Sequence, residues 1–134
     1  MEGKMKFSLR HVYEYRPGDE IGPWIYDQYL FWCPGCENLH AVATNKAPGQ
    51  KIPVWSVAGS GDNLSFSPSI KVTYRHPAGY TYENPAPLNY NGPYTEDVCH
   101  SFVKDGNIQF LGDCFHALKN QTVPLPDLPE WYAK

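Results

Sequence analysis

Prolines and glycines interrupt this chain too often for long helices: 13 Pro and 11 Gly stand among 134 residues. Proline removes a backbone donor, and both residues favour turns. Between the breaks lie 10 Tyr, 6 Phe and 4 Trp, side chains that suit a pleated, half-buried surface. The expectation is a mostly β fold. It is a small antiparallel domain of hairpins with little helix, spanning 1–134 as a single domain, a length that supports one core. Charged residues make up 19% and the net charge is −3. That composition excludes a disordered polyelectrolyte and offers no basic surface for nucleic-acid phosphates. No apolar run reaches the roughly 18 residues of a membrane helix. The opening stretch from Met1 to Lys6 leads into no signal-type apolar segment, so a cytoplasmic location is expected. In that compartment four cysteines read as metal ligands before they read as disulfides.

Local patterns give the elements. Phe7 to Tyr15 alternates as a strand and ends at Arg16-Pro17-Gly18-Asp19. Tyr29–Cys33 and Leu39–Thr44 form a hairpin whose tip carries Cys33-Pro34-Gly35-Cys36. Val54–Val57 is a short strand, and Leu64–Tyr74 is a longer one interrupted at Pro68, which marks an edge or a bulge. Residues 75–98 hold Pro77, Pro85, Pro87 and Pro93 among Tyr80, Tyr82, Tyr90 and Tyr94. They are expected to form a long loop, acting either as a binding flap or as a packed aromatic excursion. Cys99–Leu111 is the clearest element: Asp105-Gly106 between alternating runs signals a two-residue hairpin. It sets Lys104 against Asn107, Val103 against Ile108 and Ser101 against Phe110. Asp113–Asn120 reads as a short helical turn, and Val123–Pro129 as extended chain.

Cys33-x-x-Cys36 has the spacing of a metal knuckle, in which turn N–H groups face thiolate sulfurs. Cys99 and Cys114 bracket the later hairpin and complete a four-thiolate site for a structural zinc that would staple two hairpins together. His40, His100 and His116 are rival fourth ligands. A redox Cys-x-x-Cys would open a helix, and none follows here. A deaminase would need His-x-Glu ahead of Pro-Cys-x-x-Cys, and His11-Val12-Tyr13-Glu14 has the wrong spacing.

Nucleophilic chemistry has a first candidate group and an alternative. If the strand through Ser69 pairs with the one through His100, Ser69 and His100 meet, the minimum for an activated nucleophile. Asp113 follows on the side of His100 and is placed to orient it. Cys114, with His116 nearby in sequence, is the alternative nucleophile.

The run Cys99-His100-Ser101-Phe102-Val103-Lys104-Asp105-Gly106-Asn107-Ile108-Gln109-Phe110-Leu111-Gly112-Asp113-Cys114 continues into His116-Ala117-Leu118. With Phe66-Ser67-Pro68-Ser69-Ile70, and with Cys33-Pro34-Gly35-Cys36 and His40, it resembles a small family of unassigned function common in tailed phages and prophages. That family is related to peptidases of Bub-type bacterial operons for ubiquitin-like protein conjugation. The resemblance implies a protein substrate, with a ubiquitin-like protein as the candidate, and implies Ser69 as nucleophile and His100 as base. It leaves Cys33, Cys36 and Cys99 as ligands, with Cys114 the most economical fourth.

Three functions compete. The first is a zinc-containing serine-type peptidase acting on a ubiquitin-like or other phage or bacterial protein tail. The second is a non-enzymatic zinc-stabilised accessory or protein-binding module. The third is a metallohydrolase, which ranks last because a thiolate-rich site makes a poor Lewis acid. None of these calls for nucleic acid or a membrane.

Overall fold

The hairpin around the first cysteine pair is built from β2 (Ile21–Cys33) and β3 (Asn38–Lys46). Cys33 pairs with Asn38, and the Glu37 N–H closes the turn onto the Cys33 carbonyl at 2.8 Å. β1 (Ser8–Tyr15) pairs with the other edge of β2, giving an antiparallel sheet in the order β1-β2-β3. β2 begins well before the expected Tyr29. The residues ahead of Tyr29 include Pro23, Asp27 and Gln28, which dilute the strand pattern; pairing with β1 from Ile21 and with β3 from Tyr26 holds them extended. The computed structural model describes residues 5–18, 20–81 and 83–132.

The second sheet has the order β4-β5-β6-β7-β8 and is also antiparallel. Its strands are β4 (Ser56–Ala58), β5 (Ser65–Pro77), β6 (Tyr94–Lys104), β7 (Asn107–Phe110) and β8 (Thr122–Pro124). The β6–β7 hairpin has the expected register, Lys104 with Asn107, Val103 with Ile108 and Ser101 with Phe110. Asp105 and Gly106 take the left-handed conformation of its turn, at φ 50° and 76°.

The loop expected over 75–98 is shorter, because β5 and β6 run into it from both sides and pair as far as Pro77 with Tyr94. Pro77 stands at the strand end, where its missing N–H does least harm. The Arg75 guanidinium lies 4.3 Å from the centre of the Tyr94 ring, a cation–π contact across the two strands. Tyr80, Tyr90 and Tyr94 pack edge to face in sequence, so the remaining excursion is a packed one. The helical turn expected over Asp113–Asn120 is instead a chain of tight turns. No helix occurs among the described residues, and none is long and apolar enough to cross a membrane.

The inner faces of the two sheets share one core. Phe31 and Val42 come from the first sheet, and Phe66, Ile70, Val103, Ile108 and Phe110 from the second. Phe7, Phe31 and Phe66 contact one another with ring centres 5.7 to 6.3 Å apart, spacings at which aromatic pairs attract beyond their burial alone. Cys33, Cys99 and Cys114 are buried members of the same core.

Candidate functional site

Alternation along β6 sends neighbouring residues to opposite faces. Cys99 and Ser101 point inward and are buried, while His100 points outward to the face shared by Ser69. Lys71 is the register partner of His100, so Ser69, two residues earlier on β5, is its diagonal neighbour on that face.

A bulge delivers Ser69. Phe66 pairs with Val103 and Ile70 with Ser101, so residues 67–69 stand opposite Phe102 alone. Pro68, lacking an N–H, sits where the ladder is already broken. The Trp55 indole N–H donates to the Ser69 carbonyl at 3.1 Å and fixes the backbone after the bulge. Ser69 Oγ then lies 2.9 Å from His100 Nε2. His100 Nδ1 lies 3.2 Å from Asp113 Oδ2. The three residues singled out in the sequence therefore form one hydrogen-bonded chain. With Nδ1–H donated to the Asp113 carboxylate, Nε2 is free to accept the Ser69 hydroxyl proton. Asp113 is about half exposed, at 53%.

Cys33, Cys36, Cys99 and His116 bring their ligand atoms within 4.8 Å of one another. Cys33 Sγ and Cys99 Sγ are 3.9 Å apart, and Cys99 Sγ and His116 Nε2 are 3.5 Å apart. A tetrahedral zinc with bonds of about 2.3 Å to sulfur and 2.05 Å to nitrogen needs separations of about 3.8 and 3.5 Å. The spacing therefore fits such an ion. All four cysteines are free.

The Cys36 N–H faces Cys33 Sγ at 3.4 Å, as the knuckle spacing implies. The neighbouring Cys36 and Cys99 thiols, together with the backbone N–H groups of Cys36 and Gly35, hold the Cys33 thiol well below its ordinary pKa. The same proton sharing with Cys33 and Cys36 pushes Cys99 up. One thiolate is thus already favoured in a group whose ligands must all lose their protons to bind metal.

Cys114, expected as the fourth ligand, lies outside this group. Its Sγ accepts the His100 N–H at 3.3 Å and its S–H donates to the His100 carbonyl at 3.2 Å. His116, named as a rival, stands in its place because the turns after Cys114 bring its ring back over the knuckle. A Cβ on Gly35 would sit 2.2 Å from that ring, so Gly35 makes room for the histidine. The sequence pattern singles out neither Gly35 as the seat of His116 nor Trp55 as the partner of Ser69. The glycine inside Cys-x-x-Cys was a usable signal, whereas nothing in the sequence around Trp55 ties it to Ser69. His40 is buried against Phe31, apart from the ligand group.

The two clusters are joined through two short segments. Cys99 and His100 are consecutive on β6, and Asp113, Cys114 and His116 share one turn region. On the outer face, a cleft of about 470 Å³ opens beside Phe102, Gln109 and Thr122, one side-chain step along β6 from His100.

No curated protein and no solved structure is significantly similar to this chain. A family described as the bacterial ubiquitination-like system serine protease (BubE) matches residues 8–111. That span contains both sheets except β8, the bulge with Ser69, and the strand with His100. The chain belongs to the family of bacterial ubiquitination-like system serine proteases.

Proposed function

We propose that the chain is a serine-type peptidase that cleaves a protein tail, with a ubiquitin-like protein the favoured substrate, and that it works in the cytoplasm of a bacterial or phage-infected cell. The observation that carries this reading is the chain from Ser69 Oγ through His100 to Asp113, at 2.9 and 3.2 Å. The family match supports it.

In this reading Ser69 Oγ attacks the scissile carbonyl carbon while its proton passes to His100 Nε2. Asp113 holds the ring's tautomer and stabilises the imidazolium. Collapse of the tetrahedral adduct breaks the C–N bond, and His100 returns the proton to the leaving amine. Water, deprotonated in turn by His100, then hydrolyses the Ser69 ester. Cys114 acts on the backbone of His100 and serves neither as ligand nor as nucleophile.

Cys33, Cys36, Cys99 and His116 would hold a zinc ion whose contribution is structural, since four protein ligands leave no open position. A metal there ties the β2–β3 turn to β6 and to the turns after Asp113.

The test combines a fluorophosphonate probe with mass mapping of the labelled site. Labelling at Ser69, lost in His100→Ala while that variant stays folded, is expected. Labelling elsewhere, or cleavage of a ubiquitin-like fusion by Ser69→Ala, would overturn the reading.

A further inference from the structure

The order β4-β5-β6 covers the two edges of β5 unequally. β4 pairs only with Ser65, Phe66 and Ser67, whereas β6 pairs with β5 as far as Pro77. Beyond Ser69 the edge of β5 away from β6 is open among the described residues.

Hydrogen-bond parity shows what that edge carries. The His100 carbonyl accepts from Leu111 and the Val98 carbonyl from Phe115, so the even residues of β6 turn their backbone groups away from β5. The odd residues, Cys99 and Ser101, turn theirs toward it, opposite Val72 and Ile70. Lys71, Thr73 and Arg75 must then present their N–H and C=O groups to the open edge. No backbone hydrogen bond to these three from outside the β5–β6 ladder occurs among the described residues, and their side chains are exposed. The Ser69 carbonyl has the same orientation and accepts the Trp55 indole N–H, which closes the edge beside the nucleophile.

We infer that the substrate binds as an added β-strand on the open edge of β5, paired with Lys71, Thr73 and Arg75 and in line with β4. This rests on the serine peptidase reading. An antiparallel strand there runs from the Arg75 end toward Ser69. The residues N-terminal to the scissile bond therefore make the pairs, and the chain meets Trp55 where the nucleophile lies. Main-chain pairing of this kind supplies affinity with little demand on side-chain sequence. A second copy of the chain is a poor occupant: antiparallel self-pairing about Thr73 sets Lys71 against Arg75, two like charges. The occupant that fits is an extended tail, neutral or acidic beside Lys71.

The probes are a fluorophosphonate and a mixture of random decapeptides, followed by the best-cleaved decapeptide carrying a single N-methyl group at each upstream amide in turn. Thr73→Pro removes the edge N–H without touching the ladder to β6, and Thr73→Ala is its control. The expected result is a fall of at least about tenfold in kcat/KM for Thr73→Pro, with Thr73→Ala near wild type and fluorophosphonate labelling of Ser69 unchanged. N-methylation is expected to cost as much at alternate upstream positions and little between them, a readout that holds even if Thr73→Pro fails to fold. An N-methyl scan without alternation overturns strand addition. So does wild-type protein that labels at Ser69 but cleaves no decapeptide. Absence of both labelling and cleavage removes the serine reading itself, and this proposal with it.

Discussion

Ser69 and His100 are 31 residues apart in sequence, yet Oγ and Nε2 lie 2.9 Å from each other because a bulge on β5 sets Ser69 diagonally across from His100 on β6. The contact depends on sheet register. A one-residue slip of either strand would turn one of the two side chains to the opposite face.

Replacing Ser69 by Ala is therefore expected to lower kcat by about 10³-fold or more. Ser69 is half-buried and the change removes only a hydroxyl, so stability should change by less than about 1 kcal/mol. Kinetics and thermal melts on the same preparation separate the two effects. A variant that loses activity only because it melts early would count against the assigned role.

Asp113→Asn should be milder. A buried triad aspartate is worth about 10⁴-fold, but Asp113 is 53% exposed and 3.2 Å from the ring, so water screens the pair. A loss of about 10²-fold in kcat with KM little changed is expected. Retention of full activity would show that the tautomer of His100 is set by something else.

Much of this arrangement was legible in the sequence, and the reasons differ by element. Asp105-Gly106 specifies its hairpin locally, so its register followed from counting residues. Pro68 announced the break in β5, which is what lifts Ser69 out of the ladder. The choice between Cys114 and His116 was not legible, because both lie on irregular turns after Leu111, where no strand or helix period tells which side chain faces the knuckle. The ends of β5 and β6 were hidden for another reason. Their Arg, His, Pro, Thr and Glu residues look like loop, and only pairing with each other, together with the Arg75–Tyr94 contact, makes them strand.

The ligand group predicts about one zinc per chain on protein purified without chelator. Cys33, Cys36 and Cys99 should react with a thiol reagent only after the metal is removed. Because binding energy at such a site is folding energy, chelation should lower the melting temperature. A substoichiometric metal content with three freely reacting thiols would withdraw the site.

Gly35 offers a sharper probe of His116 than removing the histidine. A methyl group at Gly35 would fall 2.2 Å from the ring, so Gly35→Ala must push His116 away while all four ligands remain in the chain. Losses from disturbed ligand support run about 10 to 100-fold in metal affinity, and that range is expected here by competition with a chelator. His116→Cys, offering a thiolate that needs less room, should tolerate Gly35→Ala better than wild type does. If Gly35→Ala leaves affinity unchanged, His116 is not a ligand.

His76 gives a pH signature independent of both clusters. The Pro77 carbonyl lies 3.1 Å from Nδ1 and Asp97 Oδ2 lies 2.9 Å from Nε2; the carbonyl first, and then the carboxylate, hold the imidazole above its ordinary pKa of 6.5. The protonated ring donates to both, so folding favours the charged form. A group whose folded pKa is raised contributes its stability fully below the unfolded pKa and loses it as pH rises through the folded value. His76→Gln should therefore be less stable than wild type at pH 5, and the two urea midpoints should converge above the folded pKa. Both partners are partly exposed, so the gap should shrink in high salt as well. A gap that widens with rising pH would mean that the ring is held neutral and that its contacts in the folded chain are of another kind.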